Sequence, residues 1–209
     1  VNADNAIDLA HARRCPLPFQ SCMIEDCIGR GKSLQEGGAI YNFTGPQGFG
    51  IANVTDALYA IKKLVFEQKK YTLEFFREAL DNNFGADMDG HMAEKLTSQI
   101  AASIVASGKE LTAEDIKTVY LTVRKNGASD EAKKKYAALL EDIGAITKFG
   151  NDDDDVDAFA REIAYTYTKP LESYKNPRGG IFQAGLYPVS ANVPLGYQTG
   201  ATPDGRRAG

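Results

Sequence analysis

Two textures alternate along this chain, and each predicts a different kind of structure. In the first, apolar residues recur every three or four positions among polar ones, the spacing of a helix with one buried face. Phe19, Met23, Ile24, Cys27 and Ile28 predict a helix over 19–29, begun after Pro16 and Pro18 and stopped by Gly29 and Gly31. Leu58, Ile61, Leu64 and Val65 predict another to about Lys69, with Thr55 as its N-cap and Asp56 in its first turn. Thr72 opens a helix to about Asn82 with Leu73, Phe76 and Leu80 inward. Further helices are expected over 92–107, over 113–123 behind the box-like Thr112-Ala113-Glu114-Asp115, and over 130–142 behind Ser129, after a turn at Asn126-Gly127. Val156, Phe159, Ile163, Ala164 and Tyr167 form the last stripe, ending near Tyr174, with Asn151 as expected cap and Asp152 to Asp155 set against the helix dipole.

The second texture is uncharged, aromatic and punctuated by glycine. In 37–53, Gly37, Gly38, Gly45, Gly48 and Gly50 interrupt a run containing Ile40, Tyr41, Phe43 and Phe49, and 181–193 is similar. Such ribbons are too rich in glycine for helices and too poor in charge for solvated linkers, so they read as buried backbone lining a site. A short strand is expected over 40–44, a tight turn at Gly45-Pro46-Gln47-Gly48, and a lead into a helix over 50–53. Phe182, Leu186 and Val189 predict a second strand ending within 187–192. The stretch 200–209 reads as a turn-rich loop in which Arg206 and Arg207 either anchor carboxylates or hold neighbouring elements together.

Composition narrows the function classes. Of 209 residues, 43% are hydrophobic and 25% charged, as in ordinary soluble domains. A net charge of −4 lacks the clustered positive excess that nucleic acid demands. No apolar run approaches the ~20 residues that span a bilayer, and 1–14 is charged throughout, unlike a signal peptide. The expectation is a cytoplasmic protein with no nucleic-acid or membrane partner. Cys15, Cys22 and Cys27 fit neither a disulfide framework nor zinc or iron–sulfur spacing, and read as small buried hydrophobes on one helix. In Asp87-Met88-Asp89-Gly90 a calcium loop fails, because Gly85 and Leu96 occupy its first and last ligand positions. The run Asn151 to Asp155 brings no His or Cys, so a helix cap is favoured over a metal. His11 and His91 assemble no triad, and Gly45 to Gly50 lacks the Lys-Ser/Thr of a phosphate loop. No metal site is expected.

Four blocks, in order, carry a resemblance. They are Gly-Gly-Ala-Ile-Tyr-Asn-Phe-Thr-Gly-Pro-Gln-Gly-Phe-Gly from Gly37, Lys-Phe-Gly-Asn-Asp-Asp-Asp from Lys148, Tyr-Pro-Val-Ser-Ala-Asn-Val-Pro-Leu-Gly from Tyr187, and Thr-Gly-Ala-Thr-Pro-Asp-Gly-Arg-Arg-Ala-Gly from Thr199. Together they resemble the glycyl radical enzymes, the family of pyruvate formate-lyase and the glycerol/diol dehydratases. The resemblance implies an α/β fold: part of the second half of a ten-stranded barrel, mostly helical with a few short barrel strands. It implies one partial domain over 1–209, with a helical insertion at about 85–141 where the likeness is weakest.

In that family an activating enzyme, using S-adenosylmethionine and an iron–sulfur cluster, generates a radical on one backbone glycine. A cysteine passes it on to the substrate inside a dry chamber. The resemblance gives this chain a supporting role. Tyr187, Ser190 and Asn192, with Asn42 and Thr44 on the earlier strand, would offer hydrogen bonds to a small substrate, and Val193 and Pro194 an apolar wall. A purely structural role for these polar groups, satisfied by backbone, is an equal alternative. No Gly-Cys-Val-Glu-like loop surrounds any of the three cysteines and no Arg-Val-Ala-Gly-Tyr-like loop occurs, so the chain is expected to be an internal fragment without catalytic residues. The wording of the blocks is nearer to anaerobic dehydratases and lyases that break a C–O or C–N bond of a small diol or amino alcohol. Formate acetyltransferase chemistry, or a free-standing scaffold or interaction domain, are the alternatives. Expected partners are the remainder of the barrel, the activating enzyme, the small-molecule substrate and a second copy of the parent, as a homodimer.

Overall fold

The computed structural model describes residues 1–87, 90–125, 129–186 and 190–208, and most of them are helical. In chain order the helices are α1 (Asn2–Arg14), α2 (Pro18–Cys22), α3 (Cys27–Arg30), α4 (Ile51–Ile61), α5 (Leu73–Asp81), α6 (Gly90–Ala106), α7 (Ala113–Lys125), α8 (Asp130–Ala145), α9 (Asp154–Leu171) and α10 (Asn192–Tyr197). α4 runs straight into a π-helical stretch, Lys62–Glu67, and single 3-10 turns lie at Leu34–Glu36 and Asn83–Gly85. Among the described residues no strand forms, only three isolated bridges. The expected few short barrel strands are thus reduced to single bridged positions. No helix among the described residues is long and apolar enough to cross a membrane.

The chain divides into two compact units, Val1–Ile51 with Arg161–Pro188 and Ala52–Ala160 with Val189–Gly209. In the second, Leu64, Phe76, Ala79, Phe84, Tyr136, Leu139 and Ile143 form the core. Local signals set its helices. The Thr72 hydroxyl accepts from the Phe75 N–H at 3.1 Å and starts α5, and the Ser129 hydroxyl accepts from Ala132 at 3.0 Å and starts α8. Thr112 and Asp115 exchange bonds as a capping box ahead of α7.

Two expected caps are displaced. Thr55 is fully buried inside α4, which begins at Ile51, and Asp56 instead accepts from the Phe149 N–H at 2.8 Å. The cap of α9 is Asp153, whose carboxylate accepts from Asp155 at 3.0 Å and Val156 at 3.4 Å, while Asn151 donates to the Lys148 carbonyl. In both cases a hydrogen-bonding side chain was present, but the helix start lay elsewhere.

A strained turn closes this core. Asn83, Phe84 and Gly85 all have positive φ, of 49°, 51° and 77°, and the two non-glycines are buried. A Cβ on Gly85 would sit 2.5 Å from the Lys133 nitrogen, so α8 approaches where only glycine fits. The Asn83 amide clasps Ala208 at both backbone groups: its Oδ1 accepts from the N–H at 2.7 Å and its Nδ2 donates to the C=O at 3.3 Å. In the 200–208 loop, Arg206 donates to the Gly196 carbonyl at 2.6 Å, so of its two expected roles it takes the tethering one.

In the first unit, the helix expected over 19–29 is two short pieces, α2 and α3, parted at Asp26, which adopts a left-handed conformation. Phe19, Met23 and Ile28 are therefore exposed, and only Cys27 of the expected stripe is buried. Gly31 ends α3 in the left-handed region, as a C-cap glycine should. The expected turn at Asn126-Gly127 lies outside the described residues.

Candidate functional site

The two glycine-punctuated ribbons meet side by side. Thr44 bridges Phe182 and Gln47 bridges Gly185, both parallel and in one register. Thr44 N–H donates to Ile181 C=O (3.0 Å) and Gln183 N–H to Thr44 C=O (2.9 Å). Further along, Gly185 N–H donates to Pro46 C=O (2.9 Å) and Gly48 N–H to Gly185 C=O (3.0 Å). A parallel ladder in this register would also take a bond from residue 46 to Gln183 C=O, and Pro46 has no N–H to make it. Gly45-Pro46-Gln47-Gly48 is accordingly extended and not the expected tight turn, because the Gly48 amide bonds across the ladder.

Along 41–49 exposure alternates strictly. Tyr41, Phe43, Gly45, Gln47 and Phe49 are exposed, whereas Asn42, Thr44, Pro46 and Gly48 are half-buried. The half-buried face leans on the Asn176–Gly180 loop and on α9. A Cβ on Gly48 would meet the Tyr167 ring and the Leu186 side chain at 2.9 Å. Burial, and then the nearby Asp4 carboxylate, push the Tyr167 phenol above its usual pKa.

Asn42 and Thr44 are brought together on that face. The Thr44 hydroxyl accepts from Asn176 Nδ2 (2.9 Å) and Arg178 Nη2 (3.0 Å). Asn42 donates to the carbonyls of Ala39 (2.8 Å) and Gly37 (3.4 Å), and its Oδ1 is buried with no protein partner. Arg178 also pairs with Asp8 at 3.0 Å, both side chains being about four-fifths buried.

Ser190 and Asn192 belong to the second unit and are exposed. Asn192 opens α10 instead of ending a strand, and Val193, at 61% exposure, lies on the same helix. Tyr187 lies outside the described residues, as does Val189. A groove of about 640 Å³ in the first unit is lined by Thr168, Glu172, Ile181, Phe182 and Leu186, and Asn42, Thr44, Ser190 and Asn192 are not among its described lining residues. Cys15 and Cys22 are exposed free thiols and only Cys27 is buried, which corrects the reading of all three as core. No cluster of metal-ligating side chains occurs among the described residues.

Asn176 and Arg178 were the residues that pattern reading passed over as loop. The signal lay in Asn176-Pro177-Arg178-Gly179-Gly180, where an asparagine before proline and a glycine pair mark a side-chain-closed turn.

The pyruvate formate lyase-like family profile matches residues 1–196. A solved structure of 1,2-propanediol dehydration in Roseburia inulinivorans is 56% identical over 99% of this chain, with a TM-score of 0.86, and the match covers 25% of that protein. The glycerol-bound form of the B12-independent glycerol dehydratase from Clostridium butyricum is 42% identical over 99% of the chain, with a TM-score of 0.70, and 20% of it is covered. The (2S)-3-sulfopropanediol dehydratase of Klebsiella oxytoca is 32% identical over 97% of the chain and 19% of its own length. The chain thus spans a fifth to a quarter of the relatives it matches.

Proposed function

The chain belongs to the pyruvate formate lyase-like family of glycyl radical enzymes, and on that premise we propose that it forms part of the substrate-chamber wall of a radical dehydratase acting on a small vicinal diol. What carries the reading is the 56% identity, sustained over 99% of the chain, to a structure of 1,2-propanediol dehydration, against 42% to a glycerol dehydratase. The exposed aromatic face of 41–49 supports it, since Tyr41 at 83% and Phe43 at 56% exposure are apolar surface of the kind an interface covers.

The radical, in the parent enzyme, supplies abstraction of a hydrogen atom beside a hydroxyl. The net change proposed for the parent enzyme is diol to aldehyde plus water: one C–O bond would break, and the abstracted hydrogen atom would be returned to the carbon that lost its hydroxyl. This chain's residues bind, orient and exclude water. Tyr187, Ser190, Asn192, Asn42 and Thr44 are the proposed polar groups, with Val193 and Pro194 as apolar wall. The unpartnered Asn42 Oδ1 favours a hydroxyl donor from beyond the described residues, because an unmet buried acceptor costs about 1–3 kcal/mol. Neither the Gly-Cys-Val-Glu-like nor the Arg-Val-Ala-Gly-Tyr-like loop is in the sequence, so the 209 residues alone are proposed to be inactive. A cytoplasmic location, a helical insertion at about 85–141, a homodimeric parent and a radical-SAM activating partner belong to the same proposal.

The test is anaerobic reconstitution of the chain, with whatever flanking sequence its reading frame encodes, alongside an activating enzyme. A glycyl-radical signal by electron paramagnetic resonance and turnover of 1,2-propanediol ahead of glycerol are expected. Turnover by the isolated 209 residues, or a flanking frame without a radical loop, would overturn it.

A further inference from the structure

The parallel contact between the ribbons is short and poorly self-aligned. It has four backbone bonds, a gap at Pro46, and glycine at 45, 48 and 185, which leaves few side chains to lock the alignment. A slip of one residue would exchange the two faces of 41–49, putting Tyr41 and Phe43 where Asn42 and Thr44 now lie. Phe182, fully buried, fixes the face of the second ribbon, but the first ribbon has no such anchor over 41–49, so its alignment must be held by something other than the ladder.

The Asn176–Gly180 loop has the geometry to do so. Asn176 is 6% exposed, and all its side-chain bonding is used. Its Oδ1 accepts from Arg178 N–H (3.1 Å) and Gly180 N–H (2.9 Å), which closes its own turn. Its Nδ2 reaches across to the Asn42 carbonyl and to the Thr44 hydroxyl. Arg178, braced on Asp8, puts Nη2 on the same hydroxyl and on the Phe43 carbonyl at 3.2 Å. Gly180 completes the fit, because a Cβ there would stand 2.0 Å from the Asn42 carbonyl oxygen. One turn at the root of the second ribbon thus bonds three consecutive residues of the first, Asn42 and Phe43 by their carbonyls and Thr44 by its hydroxyl.

We propose that Asn176 and Arg178 are positioning residues that set the register of the two ribbons, and through it which side chains the first ribbon presents to a bound diol. The second half of this statement rests on the chamber-wall reading above; the first half does not. A one-residue slip would lose the Thr44 contacts of both residues at once, so the aligned register is favoured over it by two donors that would lose their hydroxyl acceptor.

The experiment compares Asn176→Ala and Arg178→Lys with the unsubstituted protein, each carrying its natural flanking sequence. Backbone hydrogen exchange at Thr44, Gly48, Gln183 and Gly185 should accelerate about tenfold or more in Asn176→Ala. Amides of α5 and α8 should keep their protection, which separates loss of register from general unfolding. Arg178→Lys retains charge but not the forked donor, and should give a smaller change at the same amides. The ratio of kcat/KM for 1,2-propanediol to that for glycerol should shift in Asn176→Ala, a readout that lowered stability alone would not move. Unchanged exchange at the four amides overturns the register role. Accelerated exchange with an unchanged diol ratio overturns the link to substrate. If the unsubstituted protein turns over neither diol, it is the chamber reading that has failed, and the exchange result still decides the register role.

Discussion

In the second unit, Phe76, Phe84 and Leu139 lie at 2%, 0% and 0% exposure, while in the first Tyr41 and Phe43 lie at 83% and 56%. The aromatic content is comparable, but the forces are not. The first set is held by burial, worth about 1.5–3 kcal/mol for each large side chain removed from water. The ribbon pair has one such buried ring, Phe182 at 0% exposure, and is otherwise held by hydrogen bonds, worth roughly 0.5–1.5 kcal/mol each, with Tyr41, Phe43 and Phe49 of the first ribbon facing outward. One region looks like a finished core. The other leaves Tyr41 and Phe43 uncovered.

The contrast can be broken at its strong end first. Phe76→Ala should lower stability by about 3–5 kcal/mol in chemical denaturation, because the surrounding cluster cannot collapse onto the space left. A loss below 1 kcal/mol would mean that the cluster is loosely packed. At the ribbon, Gly180→Ala forces a carbon onto the Asn42 carbonyl and should cost about 1–3 kcal/mol. Its signature should be local, with faster exchange at Thr44 and Gln183 and unaltered protection in α8.

A third test uses two polar clamps on α8. The Tyr71 hydroxyl donates to Asp142 at 2.5 Å beside Lys70, and the Tyr136 hydroxyl donates to Glu78 at 3.1 Å beside Lys135. Burial, and then the Asp142 contact, raise the Tyr71 phenol to about 12. A raised pKa contributes stability that is complete below the unfolded value near 10 and is lost as pH climbs toward the folded one. Stability should therefore fall above about pH 10, and Tyr71→Phe should flatten that limb at a cost near 1 kcal/mol at neutral pH. Lys135, then the Tyr136 hydroxyl, lower the Glu78 carboxyl, and Lys70, then Tyr71, lower that of Asp142. Those contributions are present at neutral pH and disappear as pH drops through the folded values, below the usual carboxylate range. A pH–stability profile flat at both ends would contradict the clamps.

The smallest effect is expected at the exposed face. Phe43→Ser should change the stability of the isolated chain by no more than about 0.5 kcal/mol. The same substitution with the flanking sequence present should cost more, and equal effects in both would mean that nothing covers that face.

How much was legible beforehand follows from how far each determinant reaches along the chain. Thr72, Ser129 and the Thr112–Asp115 box were readable because a cap bonds to a backbone amide three residues away. Thr55 and Asn151 misled because a capping side chain is informative only once the helix start is known, and packing moved both starts. The stripe at 19–28 misled because periodicity assumes a core on one side, and here only Cys27 found one. The ribbons themselves were visible in their glycine and their lack of charge, but the burial expected of them was not met: Tyr41, Phe43, Phe49, Ile181 and Leu186 are exposed, and Phe182 is buried. The family was visible too, in four ordered blocks.

Sequence by itself determined the local matters: helix content, three of the caps, and the two uncharged ribbons. Only the tertiary structure decided that Gly45-Pro46-Gln47-Gly48 extends instead of turning, and that Asn176 reaches Thr44 across 132 residues of chain. The physical reason is that an extended glycine-rich segment has no internal bonding to favour one conformation. Its shape is set by whichever distant backbone and side chains satisfy its amides and carbonyls, and those partners are not encoded in its own spacing.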